Sequence, residues 1–443
     1  MTSPTTVDGL VSGINTTQII SQLMQIEAQP QNMLKSKVSA ESTVLSAYQA
    51  VNSKFAALQT AAEAFTAPNS LTPTNPTWQA TKATSSASSV TATAGTGANP
   101  GSYTFNVTAL AQSQVTTADV TSSGGGAVTT GSGLDLTIGG KTTHITVGTD
   151  TAQGVADAIN GAKTGVSASV VTTTTGQTIL QFTGTSTGAA NAFTIAGLQA
   201  GTNNISTAQD AQVTVGNPAS GGYTVGSSTN TLTNVIPNVT LNVSQVANGV
   251  TVNVTSNADS IADKMQAMID ATNNGLAQIT TATGYDAGSK KGSPLTGDFT
   301  VRELQSTVLS AVGNGLSGYG SYKQFGVQLD NNGKLTFDRT AFLNAYATNP
   351  SGVQNAVSTG LAKSLDGIAK GATDPVSGTL TAAIQGGNDQ VKSLNSEIAD
   401  WNNRLQLRQQ TLQRQFTNLE TALGKMKNQS NWLAGQIAGL PAG

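Results

Sequence analysis

The sequence contains no cysteine and a single histidine, His144, and only 10% of its residues are charged. Without cysteine, the chain can form no disulfide, no thiolate metal site and no thiol nucleophile. The 21 basic and 23 acidic residues leave a formal net charge of −2. Because a nucleic-acid partner calls for a basic face, this balance argues against one.

Long apolar runs are also missing. No stretch approaches the ~20 apolar residues that span a bilayer, so we expect no membrane partner. The stretch TVDGLVSGINTTQIISQLMQIEAQP, Thr6 to Pro30, lacks the basic start and unbroken apolar core of a secretory signal. Aromatic residues make up 5% of the chain, and 48 of its 443 residues are glycine. This neutral composition is typical of a surface or extracellular structural protein and unusual for a cytosolic enzyme.

The first zone of the sequence predicts helices. Asn15 or Thr16 can cap the first helix, and Pro30 should end or kink it. In the run that follows, apolar residues recur at alternating steps of four and three, which is the heptad signature of a coiled coil. These residues are Val44, Tyr48, Val51, Phe55, Leu58, Ala62 and Phe65.

The second zone, from about Trp78 to Ala258, predicts β-strands because apolar and polar residues alternate. One helix is expected inside it, from Thr151 to Ala162. Asn248-Gly249 stands between two alternating runs and predicts a hairpin turn. The clearest strand patterns are GSYTFNVTAL, LDLTIGG, HITVGT, TILQFTG and VTLNVSQVANGVTVNVTS.

The third zone returns to helix, with Asp259 as the expected cap of the first one. The stretch Phe325 to Pro350 predicts a strand, an Asn332-Gly333 turn, a second strand and a helix capped by Asp338. A long heptad run begins at Val391 and extends to Ile437. As one unbroken helix it would measure roughly 70 Å.

These zones predict an α+β multidomain fold. The two chain ends form an antiparallel helical coiled-coil stalk, and β-rich head domains are inserted between them. Two unrelated helical segments packing on the β-rich body remain the alternative. The expected divisions are residues 1–45 with 390–443 as coiled-coil legs, 46–78 with 259–389 as a helical leg domain carrying a β-hairpin, 79–118 with 206–258 as a β-rich head domain, and 119–205 as an inserted β-α-β head domain.

The seam of this coiled coil is the candidate interface. We expect Leu405, Leu412 and Phe416 on the long helix to face the N-terminal run that contains Val51, Phe55 and Leu58. The complete predicted seam comprises Ile19, Leu23, Leu34, Val51, Phe55, Leu58, Leu405, Leu412, Phe416, Leu419 and Leu433.

Motifs that suggest catalysis or ligand binding are incomplete. Gly184 to Gly188 (GTSTG) matches a nucleophile elbow, but the required later histidine is absent and His144 precedes it. Gly313 to Gly318 follows a helix instead of a strand, which does not suit a dinucleotide loop. Gly139 to Thr143 and Asp330 to Gly333 are interpreted as turns, not as phosphate or calcium sites. We therefore expect no enzyme activity, no catalytic residue, no metal and no cofactor.

Several stretches resemble one family. The head VDGLVSGINTTQIISQLMQIEAQP resembles the N-terminal signature of the flagellar cap proteins, the hook-associated protein 2 or filament cap family. TGYDAGSKKGSPLTGDFTVRELQ and FGVQLDNNGKLTFDRTAFLNAYATNP resemble its middle domain, and the tail from Arg404 to Leu440 resembles its C-terminal helix. Ile145 to Gly197 resembles a small module of flagellin-like and hook-associated proteins. The resemblance covers nearly the whole chain.

The resemblance implies a homo-oligomeric ring, commonly a pentamer, at the distal tip of the bacterial flagellum. Such a ring retains exported flagellin and promotes its folding and insertion into the filament. It also implies type III export without a cleaved signal, an export chaperone, an extracellular location, and a seam that serves as the oligomer and filament interface. The alternatives are a tip adhesin that binds host glycans, and a structural hook–filament junction or flagellin-like subunit.

Overall fold

The computed structural model describes residues 13, 15–66, 75–123, 126–316 and 318–438. The chain divides into two compact units. The helical unit contains Met1–Thr66 and Lys264–Gly443, and the β-rich unit contains Ala67–Asp263.

Helices are numbered along the chain, and a π-helical segment, Ala356–Leu361, joins α7 to α8. The helices are α1 Thr16–Glu27, α2 Gln29–Glu63, α3 Ala152–Ala162, α4 Ala258–Thr283, α5 Phe299–Gly313, α6 Arg339–Thr348, α7 Pro350–Asn355, α8 Ala362–Thr373 and α9 Thr379–Ala438.

Strands are numbered in the same way. They are β1 Thr81–Ser85, β2 Val90–Ala94, β3 Gly101–Ala109, β4 Val115–Asp119, β5 Gly133–Ile138, β6 Lys141–Thr146, β7 Val166–Thr172, β8 Thr178–Gly184, β9 Phe193–Ala196, β10 Thr202–Ser206, β11 Ala211–Val215, β12 Tyr223–Ser227, β13 Thr231–Ile236, β14 Val239–Val243, β15 Ala247–Ser256, β16 Tyr285–Asp286, β17 Lys291–Gly292, β18 Val327–Leu329 and β19 Leu335–Phe337.

The first two helices join with almost no break. Asn15 caps α1, since its Oδ1 accepts a hydrogen bond from Gln18 N at 2.8 Å. Ala28, between α1 and α2, keeps right-handed helical angles, φ −80° and ψ −8°. Pro30 lies in the first turn of α2. Proline is tolerated in a first turn because its missing N–H has no helical acceptor to lose there.

The core of the helical unit forms around the second half of α2. Val51, Phe55 and Leu58 are completely buried. A Cβ placed on Gly275 of α4 would lie 3.2 Å from Phe55 Cε2. On another side of α2, Thr373 at the end of α8 donates a hydrogen bond to Gln59 Oε1 at 3.0 Å. This part of α2 therefore packs against α4 and α8.

The segment after the β18–β19 hairpin is helical for longer than the sequence patterns predict. The Asn332-Gly333 turn and the Asp338 cap are as expected, with Gly333 at φ +75°. Asn349 ends α6, but its side chain also caps α7 by accepting from Gly352 N at 2.9 Å. The prediction places residues 350–373 in a helical leg domain but does not delimit the helices from Pro350 to Thr373.

In the β-rich unit, a five-stranded sheet, β1-β15-β3-β11-β12, shares its core with a three-stranded sheet, β13-β14-β2. The predicted Asn248-Gly249 hairpin is wrong. Both residues lie inside β15, which pairs with β1 and β3, while β14 pairs with β2 and β13. Gly249, at φ +63°, is part of a bulge opposite β3, and its N–H donates to Asn106 Oδ1 at 2.7 Å.

A second core in this unit lies between β10-β4-β8-β7, β6-β5-β9 and α3. The predicted helix from Thr151 to Ala162 is present as α3, and Thr151 caps it by accepting from Gly154 N at 3.2 Å. The expected division between residues 118 and 119 falls inside β4, whose pairing partners β8 and β10 belong to this second core.

The predicted fold class is confirmed. The chain is α+β, its two ends pair as antiparallel helices, and the β-rich unit is inserted between them in the sequence. One cap is corrected, because α4 begins after Asn257, whose Oδ1 accepts from Ser260 N at 3.1 Å. Asp259 lies in the first turn and pairs with Lys82 at 3.3 Å.

Candidate assembly interface

The stalk is defined here as residues 16–45 of α1 and α2 together with residues 387–413 of α9. Three contacts set its direction. Arg408 Nε lies 3.2 Å from Glu27 Oε1, Gln31 Nε2 lies 2.5 Å from Asn402 Oδ1, and a Cβ on Gly387 would lie 3.4 Å from Leu45 Cδ1. Residue numbers rise on one side as they fall on the other, so the pairing is antiparallel.

A buried amide stands in the middle of this seam. Gln31 is only 4% exposed, and its Nε2 donates to Asn402 Oδ1 and, at 3.5 Å, to Ile398 O. Its Oε1 accepts from Lys35 Nζ at 3.1 Å. The buried polar group is thus satisfied. Polar residues at such seam positions set register at some expense of stability.

Charged contacts on the stalk are peripheral. Glu27 and Arg408 keep about half of their side-chain surface in water, and exposed ion pairs contribute about 0–1 kcal/mol. Arg404 stacks over Trp401 with 5.3 Å between the guanidinium carbon and the ring centroid. Neither contact replaces apolar burial as the source of stalk stability.

The first turns of α1 meet α9 across a shallow groove of about 370 Å³. Ile20 and Met24 line one side, and Gln409 and Gln413 line the other. Leu412, between the two glutamines in sequence, is buried. Its burial places Leu412 of the predicted seam at the contact between α1 and α9.

The expected facing of Leu405, Leu412 and Phe416 against Val51, Phe55 and Leu58 is therefore wrong. Antiparallel pairing places Leu412 near α1, while Val51 to Leu58 face α4 and α8 in the core of the helical unit. The predicted seam falls into three groups: Val51, Phe55, Leu58 and Leu412 are buried, Ile19, Leu34, Leu405 and Phe416 are half-buried, and Leu23, Leu419 and Leu433 are exposed.

The end of α9 continues beyond the stalk with apolar side chains in water. Met426 is 60% exposed, Leu433 54% and Ile437 61%. Exposed apolar surface at heptad spacing is typical of helices that pair with another helix. The role of the predicted seam as an oligomer and filament interface stays a prediction.

One polar contact in the helical unit was not predicted from the sequence. Tyr48 Oη donates to Asp298 Oδ2, and Asp298 Oδ1 accepts from Val301 N at 3.1 Å as the cap of α5. Burial, followed by the hydrogen bond to Asp298, raises the pKa of Tyr48 above its ordinary value. Because these residues are 250 positions apart, no local sequence signal connects them.

Three of the candidate motifs lie in turns or loops: Gly184 to Gly188 begins at the end of β8, Gly139-Gly140 joins β5 to β6, and Asp330 to Gly333 joins β18 to β19. His144 Nδ1 lies 2.7 Å from Asp135 Oδ1 on neighbouring strands, so an acidic partner is present that the sequence analysis did not find, and both side chains are more than half exposed. Within residues 15–66, 75–123, 126–316 and 318–438, no group of three His, Cys, Asp or Glu side chains could hold a metal ion. No helix in those ranges is long and apolar enough to cross a membrane.

Comparisons with known proteins agree with this architecture. The family models for the flagellar hook-associated protein 2 N-terminus and C-terminus match residues 12–114 and 208–428, and the flagellin hook IN motif matches 134–186. The flagellar hook-associated protein 2 of Escherichia coli K12 is 31% identical over 97% of both chains, and that of E. coli O157:H7 is equally similar.

A solved structure of the same family is also similar to this chain. The crystal structure of the D1-D2-D3 domains of the E. coli flagellar cap protein FliD matches with a TM-score of 0.56 at 27% identity, covering 77% of this chain and 99% of the other. The fold, with paired helices from the two chain ends, is that of a structural protein of the flagellum. The chain belongs to the flagellar hook-associated protein 2 family.

Proposed function

We propose that this chain caps the distal tip of the bacterial flagellar filament. There it retains exported flagellin and promotes its folding and insertion. The observation that carries the proposal is the stalk, in which the two chain ends pair and α9 then continues with uncovered heptad residues. The family to which the chain belongs identifies the flagellum as the assembly on which such a stalk acts.

The chemistry of the exposed α9 end suits reversible binding to helices. Each apolar side chain removed from water contributes about 1.5–3 kcal/mol when fully buried. From Leu423 to Ile437 the only charged residues are Lys425 and Lys427. The contact therefore rests on apolar burial, and we expect little dependence on salt.

The finer parts of the proposal concern the assembly. The copies form a ring, with five subunits as the family resemblance implies, outside the cell at the filament tip. Export proceeds through the flagellar type III apparatus with a dedicated chaperone. The comparisons do not favour a tip adhesin or a hook–filament junction subunit.

The test is genetic. In the bacterium that encodes this chain, deletion of its gene should leave cells without filaments and with monomeric flagellin in the medium, measured by electron microscopy and immunoblotting. The full chain restores filaments, whereas a chain that ends at residue 420 does not. Normal filaments in the deletion strain would refute the proposal.

A further inference from the structure

Methionine supplies all the sulfur in this chain, because the sequence has no cysteine. The five methionines in the described ranges differ in how much of the side chain is in water. Met265 and Met268 of α4 are completely buried, whereas Met33 is 62% and Met426 60% exposed. Met24 lies between these extremes, since it is half-buried.

Met24 lies where α1 contacts α9. Glu27, one turn further along α1, pairs with Arg408, and Leu412 is one turn beyond Arg408 on α9. Because the two helices are antiparallel, Met24 and Leu412 come to the same level of the stalk. Leu412 is buried. The thioether of Met24 therefore belongs to the apolar contact that holds α1 on α9.

The same methionine borders open space. It lines the groove of about 370 Å³ between α1 and α9, together with Ile20, Gln409 and Gln413. A water molecule occupies about 30 Å³ of liquid volume, and hydrogen peroxide is only slightly larger. The groove therefore admits a small oxidant to the sulfur while the two helices stay paired.

Access and contact coincide at Met24. Met265 and Met268 pack in the core but are closed to solvent. Met33 and Met426 are open to solvent, and most of their surface has no contact to lose. Of the methionines in the described ranges, Met24 is therefore the one at which an oxidant can both react and change the structure.

We infer that Met24 is a site of reversible oxidation by peroxides and that its sulfoxide loosens α1 from α9. A lone pair of the sulfur attacks one peroxide oxygen, so that the S–O bond forms as the O–O bond breaks. The proton on the transferred oxygen passes to the departing hydroxide, which leaves as water. The sulfur is oxidised to the sulfoxide and the peroxide is reduced.

The sulfoxide is polar and chiral where methionine was apolar and flexible. Its oxygen is disfavoured beside the buried Leu412, because a polar atom without a hydrogen-bond partner is costly to bury. In the open groove, water and the side-chain amides of Gln409 and Gln413 can donate to it. Both effects draw the side chain out of the contact with α9. The inference concerns a contact within one chain, so it does not depend on the proposed function.

Oxidation of the full-length chain by hydrogen peroxide tests the inference. Peptide mass spectrometry should find the sulfoxide at Met24, Met33 and Met426, while both buried methionines of α4 stay unmodified. Hydrogen exchange in α1 should become about tenfold faster, the change expected when a half-buried apolar side chain ceases to contribute. Exchange in the core around Phe55 should stay slow. Methionine sulfoxide reductases for the two epimers should restore slow exchange in α1.

Two variants assign the effect to Met24. Met24→Leu removes the sulfur and keeps an apolar side chain, so peroxide should no longer speed exchange in α1. Met24→Gln places a polar side chain there permanently and should give fast exchange without any oxidant. The matched controls are Met33→Leu, which should respond to peroxide as the native chain does, and Met33→Gln, which should exchange as slowly as the unoxidised native chain.

An unmodified Met24 in a chain whose Met33 is oxidised would overturn the inference. A sulfoxide at Met24 that leaves exchange in α1 unchanged would do the same. If peroxide speeds exchange in Met24→Leu as much as in the native chain, the effect belongs to another residue and the inference fails.

Discussion

Gln31 and Asn402 are 371 residues apart in the sequence, and their side-chain amides meet at 2.5 Å inside the stalk. This contact holds one register of α2 against α9, because shifting either helix by a turn would leave the buried Gln31 amide without its acceptors. We expect Gln31→Ala to destabilise the helical unit by about 0.5–1.5 kcal/mol, because the partner Asn402 is exposed and can bind water instead. Urea unfolding followed by circular dichroism measures this loss.

Gln31→Leu separates stability from register. An apolar side chain removes the need for a partner, so stability should recover or exceed that of the native chain, while the oligomer becomes mixed in size. Sedimentation velocity measures that distribution. Asn32→Leu, on the exposed face, is the control and should leave the distribution unchanged, and a uniform oligomer in Gln31→Leu would show that the amide does not set register.

Tyr48→Phe tests the contact that links α2 to the cap of α5. Hydrogen bonds to charged groups contribute about 1.5–3 kcal/mol. Because the contact is partly in water, we expect the free energy of unfolding at neutral pH to fall by no more than this amount. The core around Phe55 should be unaffected.

The same pair predicts a pH dependence. The pKa of Tyr48 is raised in the folded chain, mainly by burial and then by Asp298. Its contribution is therefore complete below the unfolded tyrosine pKa, about 10, and is lost as pH rises above it. Urea unfolding from pH 8 to 11 should show a steeper loss for the native chain than for Tyr48→Phe, and parallel curves would contradict the prediction.

Leu412→Ala with Phe416→Ala should separate α1 from α9. Leu412 is buried, and truncation of a buried leucine costs about 2–5 kcal/mol. Phe416 is half-buried and should add less. Hydrogen exchange should become fast in α1 and remain slow in the core around Phe55, and cells with this variant should release unpolymerised flagellin and swim poorly.

Thr→Ala changes on the exposed faces of the β-rich unit are the matched control and should leave assembly intact. Slow exchange in α1 of the double variant, together with normal filaments, would show that this part of the stalk does not depend on the two side chains.

Gly249→Ala tests the bulge in β15. An added Cβ at Gly249 meets no atom within 4 Å, so its effect comes from φ +63° alone. Left-handed backbone costs a non-glycine residue about 1–2 kcal/mol, and we expect that loss in urea unfolding of residues 75–263, which should fold alone because both cores are contained within them. The control is Gly226→Ala, because Gly226 has a negative φ and an added Cβ would make an ordinary 3.7 Å contact. Equal losses of stability in the two variants would show that the left-handed backbone of the bulge is not the cause.

Local periodicity determined most of the secondary structure. Heptad steps identified α2 and α9, alternation identified β3 and β8, and Asp338 was identified as a helix cap. These signals are readable because each depends on residues a few positions apart. The family motifs predicted that the chain assembles with other chains. Periodicity alone does not indicate such an assembly.

Tertiary structure decided which surfaces meet. Asn248-Gly249 has the composition of a hairpin, yet β14 and β15 belong to different sheets and the pair forms a bulge. A heptad row likewise shows that Leu412 and Phe55 lie on the apolar faces of their helices. It does not show that Leu412 packs near α1 and that Phe55 packs against α4. Partner choice depends on residues hundreds of positions apart, such as Tyr48 with Asp298 and Gln31 with Asn402, and only the folded chain brings these together.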